Sequence, residues 1–163
     1  LSFTSGIDDT YDSYVFKFYN IHPATDNVQF LFNMSSDSGS NYNVTKTTTY
    51  FLAEHNATGG SANLSYQSAK DLAQSTDFQK LMTDLGNAAD ENLSGYLTIY
   101  NPSSTTFVKN FMSRTNAQAY SATNISFDNY IAGYGNTTSA VNAVQFKMSS
   151  GTFDGVIKLY GVS

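Results

Sequence analysis

The side chains able to do acid–base or metal chemistry in this chain are few: two histidines, thirteen Asp and Glu, and no cysteine. His22 stands in "NIHPATDN" (20–27), beside Pro23 and close to Asp26 and Asn27. A catalytic histidine needs an acid, nucleophile or metal partner within hydrogen-bond reach, and this stretch offers only Asp26. Pro23 presets φ, and Asp26 and Asn27 tolerate the tight conformations of a turn. Between two alternating segments, the stretch therefore reads as the turn of a hairpin. His55 stands alone in "AEHNATGG", and two histidines without cysteine cannot make the usual structural zinc set.

Carboxylates give three further candidates. Asp8, Asp9 and Asp12 in "GIDDTYDSY" have the oxygen chemistry calcium prefers, but the pattern lacks the glycine and terminal Glu of an EF-hand. A solvated, turn-forming acidic loop is the favoured reading. Asp90 and Glu91 are adjacent in "NAADENLSG", and Asp128 lies in "SFDNY". A glycosidase needs two carboxyls facing each other across a cleft, whereas neighbouring acids in a Gly/Asn-rich loop read as solvated turn residues. "SSDSGS" and "SSGTF" are not nucleophile elbows, and no phosphate-binding or dinucleotide glycine loop is present. No catalytic, cofactor-binding or metal-binding residue is assigned, and the chain reads as non-enzymatic with no cofactor.

The elements that would position these residues are strands. Alternation of period two recurs through most of the chain. Phe16 and Phe18 share one face of "YVFKFYNI" (14–21), and Val28, Phe30, Phe32 and Met34 share one face of "NVQFLFNM" (27–34). Further strands are expected at 47–55, at 95–102 up to Pro102, and at 105–115, where Phe107, Lys109 and Phe111 share a face. Segments 124–134, 140–150 and 155–162, with the opening "LSFTSGI", bring the expectation to about nine. "SSDSGSN", "NATGGSAN" and "GYGNTTSA" read as turns. "STDFQKLMTDLGN" (75–87) fits two templates. Phe78, Leu81, Met82 and Leu85 recur at helical spacing, with Thr76 and Gln79 as a capping box and Gly86 as a stop. Leu81 and Leu85 flanking Thr83 equally suit a strand. No linker divides residues 1–163, so the expectation is one all-β domain: an antiparallel β-sandwich, jelly-roll-like, of about eight to ten strands.

Composition narrows the function. The chain has 163 residues, of which 40% are hydrophobic and only 13% charged, with twelve Phe, twelve Tyr and a net charge of −5. That charged share is about half the usual one. Ser, Thr, Asn, Gln and Gly fill the difference and give a polar, weakly charged surface suited to secreted, adhesive or virion-exterior proteins. The eight Lys and Arg form no run, which argues against nucleic acid and anionic membrane surfaces as partners. No apolar stretch is long enough for a membrane span, and none resembles a signal peptide. Leu1 in place of Met is read as processing, trimming, or a stretch of a longer protein. Seven Asn-x-Ser/Thr sequons, at Asn33, Asn43, Asn56, Asn63, Asn92, Asn124 and Asn136, arise readily by chance in so Asn-rich a chain. The tyrosines exceed what a small core absorbs. They suit protein interfaces and sugar platforms, or else line sheet rims, while the absence of Trp counts slightly against a dedicated sugar face.

Three stretches together, "FTSGIDDTYDSYVFKFYNIHPATDNVQFLF" (3–32), "LGNAADENLSGYLTIYNPSSTTFVKNF" (85–111) and "GTFDGVIKLYGV" (151–162), resemble β-rich virion proteins of tailed phages, particularly phages of marine bacteria. The resemblance implies a β-sandwich displayed on the virion exterior, with no catalytic residues to carry over. It also implies that residues 78–84 form a strand pairing with "GYLTIYNP". Expected partners are the major capsid protein or other head and tail components, further copies of the chain, and host-surface glycan. Capsid decoration or head attachment is favoured over a tail-associated receptor- or glycan-binding module, because the chain contains no shaft-like repeat.

Overall fold

In a computed structural model describing residues 1–121 and 124–163, the chain folds into eleven antiparallel strands, and none of the described residues is helical. They are β1 (Ser2–Phe3), β2 (Ser13–Pro23), β3 (Val28–Ser35), β4 (Lys46–Asn56), β5 (Ala62–Tyr66), β6 (Gln79–Leu85), β7 (Leu93–Tyr100), β8 (Lys109–Ala119), β9 (Ile125–Gly135), β10 (Ala143–Met148) and β11 (Phe153–Val162). Hydrogen bonds link all of them into one open sheet that doubles over on itself. Four strands in the order β1-β10-β3-β6 form a small sheet, and seven in the order β11-β2-β7-β8-β9-β4-β5 form a large one. Among the described residues the ladder joining the two is one residue pair, Leu85↔Ala119 between β6 and β8, beside which the Tyr120 amide donates to the Asp84 carbonyl.

Side-chain rings close the sandwich. Phe16 and Phe18 of β2 point inward and meet the small sheet, with Phe16–Phe146 centroids at 5.2 Å and Phe18–Phe30 at 5.3 Å. Phe32 of β3 meets Phe111 of β8 at 5.0 Å. Phe146 touches five other rings, those of Phe3, Phe16, Phe18, Phe30 and Phe32, mostly edge to face. The expected all-β antiparallel sandwich is thus the observed fold. The chain passes from sheet to sheet at most connections, as in a jelly roll; the exceptions are the β4–β5 hairpin and the β7–β8–β9 meander.

Several local expectations need correction. Segment 75–87 contains a strand, β6, and no helix, but β6 pairs with β3 and not with the 95–102 strand. The reason is that β7 already has both edges occupied, by β2 and β8. β5 adds a strand at the end of a stretch read as turn. "NIHPATDN" turns the chain, yet it is not a hairpin: β2 pairs with β7 and β11, β3 with β10 and β6, so the stretch arches from one sheet to the other. Phe107 lies before β8 and is exposed, while Lys109 and Phe111 point into the core. β3 is buried along nearly its whole length on both faces, because the 41–45 and 71–77 segments cover it. Asn33 accordingly is fully buried, its amide donating to the Tyr42 and Thr76 carbonyls, so this sequon is closed to glycosylation in the folded chain.

A bulge keeps β2 in phase with the core. Phe18 and Ile21 both point inward although three residues apart, and Asn20 between them sits at φ 50°. Opposite the bulge, Gly155 of β11 has φ 114°, and a Cβ there would lie 2.5 Å from the Asn20 carbonyl oxygen. Only glycine fits both demands.

Two lysines are fully buried, and each is met by oxygen. Lys109 Nζ donates to the Ser104, Phe107 and Thr137 carbonyls, at 2.7, 2.6 and 3.3 Å. Lys46 Nζ donates to Asn33 Oδ1 at 2.5 Å and to the Val44 carbonyl at 2.7 Å. Neither has a carboxylate in ion-pair range, so desolvation dominates. Burial lowers the Lys46 ammonium from 10.5 to about 7.

Replacing Phe146 by Ala removes the ring that five others share, and should lower the unfolding free energy by about 3–5 kcal/mol in a denaturant titration. For Lys46, the unfolded chain binds a proton that the folded chain lacks between pH 7 and 10.5, so stability rises with pH in that window. This one group contributes at most about 1.4 kcal/mol per pH unit. Lys46→Met should flatten the rise, measured as the denaturation midpoint between neutral pH and mildly alkaline pH.

Candidate functional site

The residues first considered for chemistry are placed apart. His22 Nε2 lies 3.2 Å from the Ala88 carbonyl, and its other ring nitrogen is 3.8 Å from the carboxylate of Asp154, a β11 residue. Asp26 instead accepts the Asn27 and Asn87 amides and ties the arch to the β6–β7 connection. His55 is exposed on β4, opposite Ser126 and Ala62. Asp8 accepts from the Thr10 amide and the Tyr14 hydroxyl, which makes it a turn-forming residue; these bonds hold its carboxyl below the usual range. Among the described residues no three His, Asp or Glu side chains gather as metal ligands. Asp90 is exposed as expected, but Glu91 is not: it is buried against Gly86, and its Oε2 accepts the Ala88 amide at 3.0 Å. The acid serves to close its own loop.

What the fold assembles lies on the outer face of the large sheet. Alternation sends Phe16, Phe18, Leu97, Ile99, Phe111 and Ile131 inward, and it sends an aromatic and basic set outward on the strands of the same sheet. Register then aligns that set into one row across all seven strands: Tyr66, Phe51, Tyr130, Arg114, Tyr96, Lys17 and Lys158, from β5 to β11. Phe51 and Tyr66 meet edge to face at 5.6 Å, and both are about half exposed. The Arg114 guanidinium lies 4.8 Å from the Tyr130 ring centroid. The same guanidinium donates to both oxygens of Asp128, at 3.0 and 2.7 Å, and Tyr130 Oη donates to Asp128 at 3.1 Å. Asp128, an isolated acid in the sequence, is thus the anchor of a planar Arg–carboxylate fork. Hydrogen bonding from Arg114 lowers its carboxyl below the usual range.

Between the larger side chains the face is hollow. Ala132 and Thr49 floor a groove of about 350 Å³ walled by Phe51, Tyr96, Met112 and Tyr130. A second hollow of about 430 Å³ continues it past Phe51 towards Leu64 and Tyr66 at the β5 edge. Leu64, beside Tyr66 on β5, is 72% exposed and Met112, on β8 at the other side of the row, 53%, so both extend its exposed apolar surface. The sequence did contain a sign of this face: aromatic or aliphatic residues stand on both faces of the alternation, as in Phe18–Tyr19, Tyr96–Leu97 and Tyr130–Ile131.

Tyr14 and Tyr50 are core residues, each with its hydroxyl bonded, to Asp8 and Asn129 respectively. Tyr19, Tyr66, Tyr96, Tyr100, Tyr130 and Tyr160 are the exposed ones on the outer face. The row's own contacts are surface contacts, so Arg114→Ala should change the unfolding free energy by about 1 kcal/mol or less in a thermal or denaturant melt. Comparison with known proteins finds no matching family model, no matching curated protein and no matching solved structure.

Proposed function

We propose that this chain is a non-enzymatic structural protein of the exterior of a tailed-phage virion, a capsid decoration or head-attached protein that docks on neighbouring shell proteins through the outer face of its large sheet. The observation that carries the reading is the cross-strand row from Tyr66 to Tyr96, with its flanking Leu64 and Met112. Aromatic, Met and Arg side chains at the centre of a patch are what protein interfaces concentrate. The Arg114–Asp128 fork neutralises its own charge, so covering it leaves no unpaired ion. A rigid sheet face also loses little side-chain entropy on docking, and many copies on a lattice allow each contact to be weak. Placement on a virion rests on the three stretches that resemble phage virion proteins.

A second reading, a tail-associated receptor- or glycan-binding module, is favoured by one observation. The groove between Tyr96 and Tyr130 sets polar donors and acceptors beside aromatic rings.

Quantitative mass spectrometry of purified particles separates the two readings. Decoration gives a copy number in a simple ratio to the shell protein, and a tail or vertex position gives far fewer copies. The Phe51→Ala/Tyr130→Ala double variant should remain folded yet be lost from particles; full retention would overturn docking through this face.

A further inference from the structure

At its β2–β11 end the outer row finishes on two lysines. Lys17 and Lys158 are directly opposed across neighbouring antiparallel strands, and both are exposed. Like charges in that position repel and destabilise the pair. The chain has thirteen acids for eight basic residues, yet among the described residues neither lysine has an ion-pair partner. Each leans instead over a tyrosine diagonal to it: Lys17 Nζ is 5.4 Å from the Tyr160 centroid, and Lys158 Nζ is 5.7 Å from that of Tyr19. Tyr96 flanks Lys17 on the other side, in the row itself. β11 is an edge strand, and a lysine there is a known guard against edge-to-edge pairing. That explains Lys158, but not the second lysine facing it from β2, a strand paired on both sides.

We propose that Lys17 and Lys158, with Tyr19, Tyr96 and Tyr160 around them, form a binding site for an anionic saccharide, one bearing carboxylate or sulfate groups. The two ammonium groups have donors to spare, and an anionic substituent between them would relieve their repulsion. The tyrosines supply what a simple anion does not use: flat apolar faces for the C–H surface of a sugar ring, and hydroxyls at the rim for its OH groups. A bare acidic peptide would satisfy the lysines and leave the rings idle. The inference extends the glycan reading above from the Tyr96–Tyr130 groove past Tyr96 to the β2–β11 end of the row and gives the ligand its charge, and it rests on that reading.

The test is a set of titrations of the intact chain in solution, followed by NMR or fluorescence. The probes are oligouronate, sulfated oligosaccharide, a neutral oligosaccharide of the same length, and oligoglutamate. An acidic oligosaccharide of at least one kind should bind, and bind more weakly as salt is added. Lys17→Gln/Lys158→Gln should weaken that binding roughly tenfold or more. Tyr160→Ala should weaken it too, while leaving oligoglutamate unaffected. The lysine double variant should also melt no lower than the parent, since its like-charge pair is gone. Equal binding of oligoglutamate with no effect of Tyr160→Ala would overturn the proposal in favour of an acidic protein partner. Binding of the neutral sugar alone would overturn it while sparing the glycan reading. No binding of any sugar would remove both, leaving the shell-docking reading to be judged by copy number.

Discussion

The sandwich depends on ring packing across its interior, because its backbone connection is so slight. Among the described residues Leu85↔Ala119 is the one strand-to-strand ladder pair between the small and large sheets. Apart from a few backbone bonds between connections, what holds β1, β10 and β3 over β2, β7 and β8 is side chain, and Phe146 sits at the centre of it. Edge-to-face contacts fix relative orientation as well as distance. Such a cluster therefore sets how the large sheet lies, and so fixes which way its outer face points.

Burying aromatic residues inside does not use up the chain's aromatic content, and most of the exposed remainder lies on one face, with Tyr11, Phe107 and Tyr120 standing in loops. The strands of the large sheet are aromatic or apolar on both faces, while the small sheet is covered on its far side by loops tied to Asn33 and Gln79. The molecule consequently has one finished side and one open side. Charge follows the same division only in part, since Lys80 and Lys147 belong to strands of the small sheet. Lys46 and Lys109 are spent inside on carbonyls and an amide, whereas Lys17, Lys158 and Arg114 stand on the open side in one line.

The parts of this architecture legible in the sequence were those set by period alone. Phe16, Phe18, Phe30, Phe32 and Phe111 are inside as the alternation requires, and the all-β class follows from it. β5 was missed because its residues are nearly all exposed, so "ANLSY" carries no buried–exposed contrast. The arch at His22 read as a hairpin because proximity in sequence is the default for pairing, and only the occupancy of the edges of β2 excludes it. Glu91 was read as a solvated turn residue, and the burial of Lys109 was not foreseen, for a different reason: their partners are backbone groups, which every sequence possesses and none advertises. The row itself depends on register. Alternation indicates that Tyr130 and Tyr96 face outward, but only the pairing of β5, β4, β9, β8 and β7 brings them into one row with Tyr66.

The two ends of that row are not mechanically alike. At one end the edge strand β11 pairs only with β2, but its Phe153, Ile157 and Leu159 pack against the core, and Phe16 and Phe18 of β2 are locked in the ring cluster. At the other end Tyr66 belongs to β5, which pairs only with β4, and none of whose residues is buried. Local opening free energies follow buried contact, so β5 can fray and re-form without disturbing the cluster. The binding face therefore combines a rigid anchor with a compliant margin. A surface that meets its target first at the fixed end can let the β5 end adjust last, tolerating small variations in the curvature of whatever it covers.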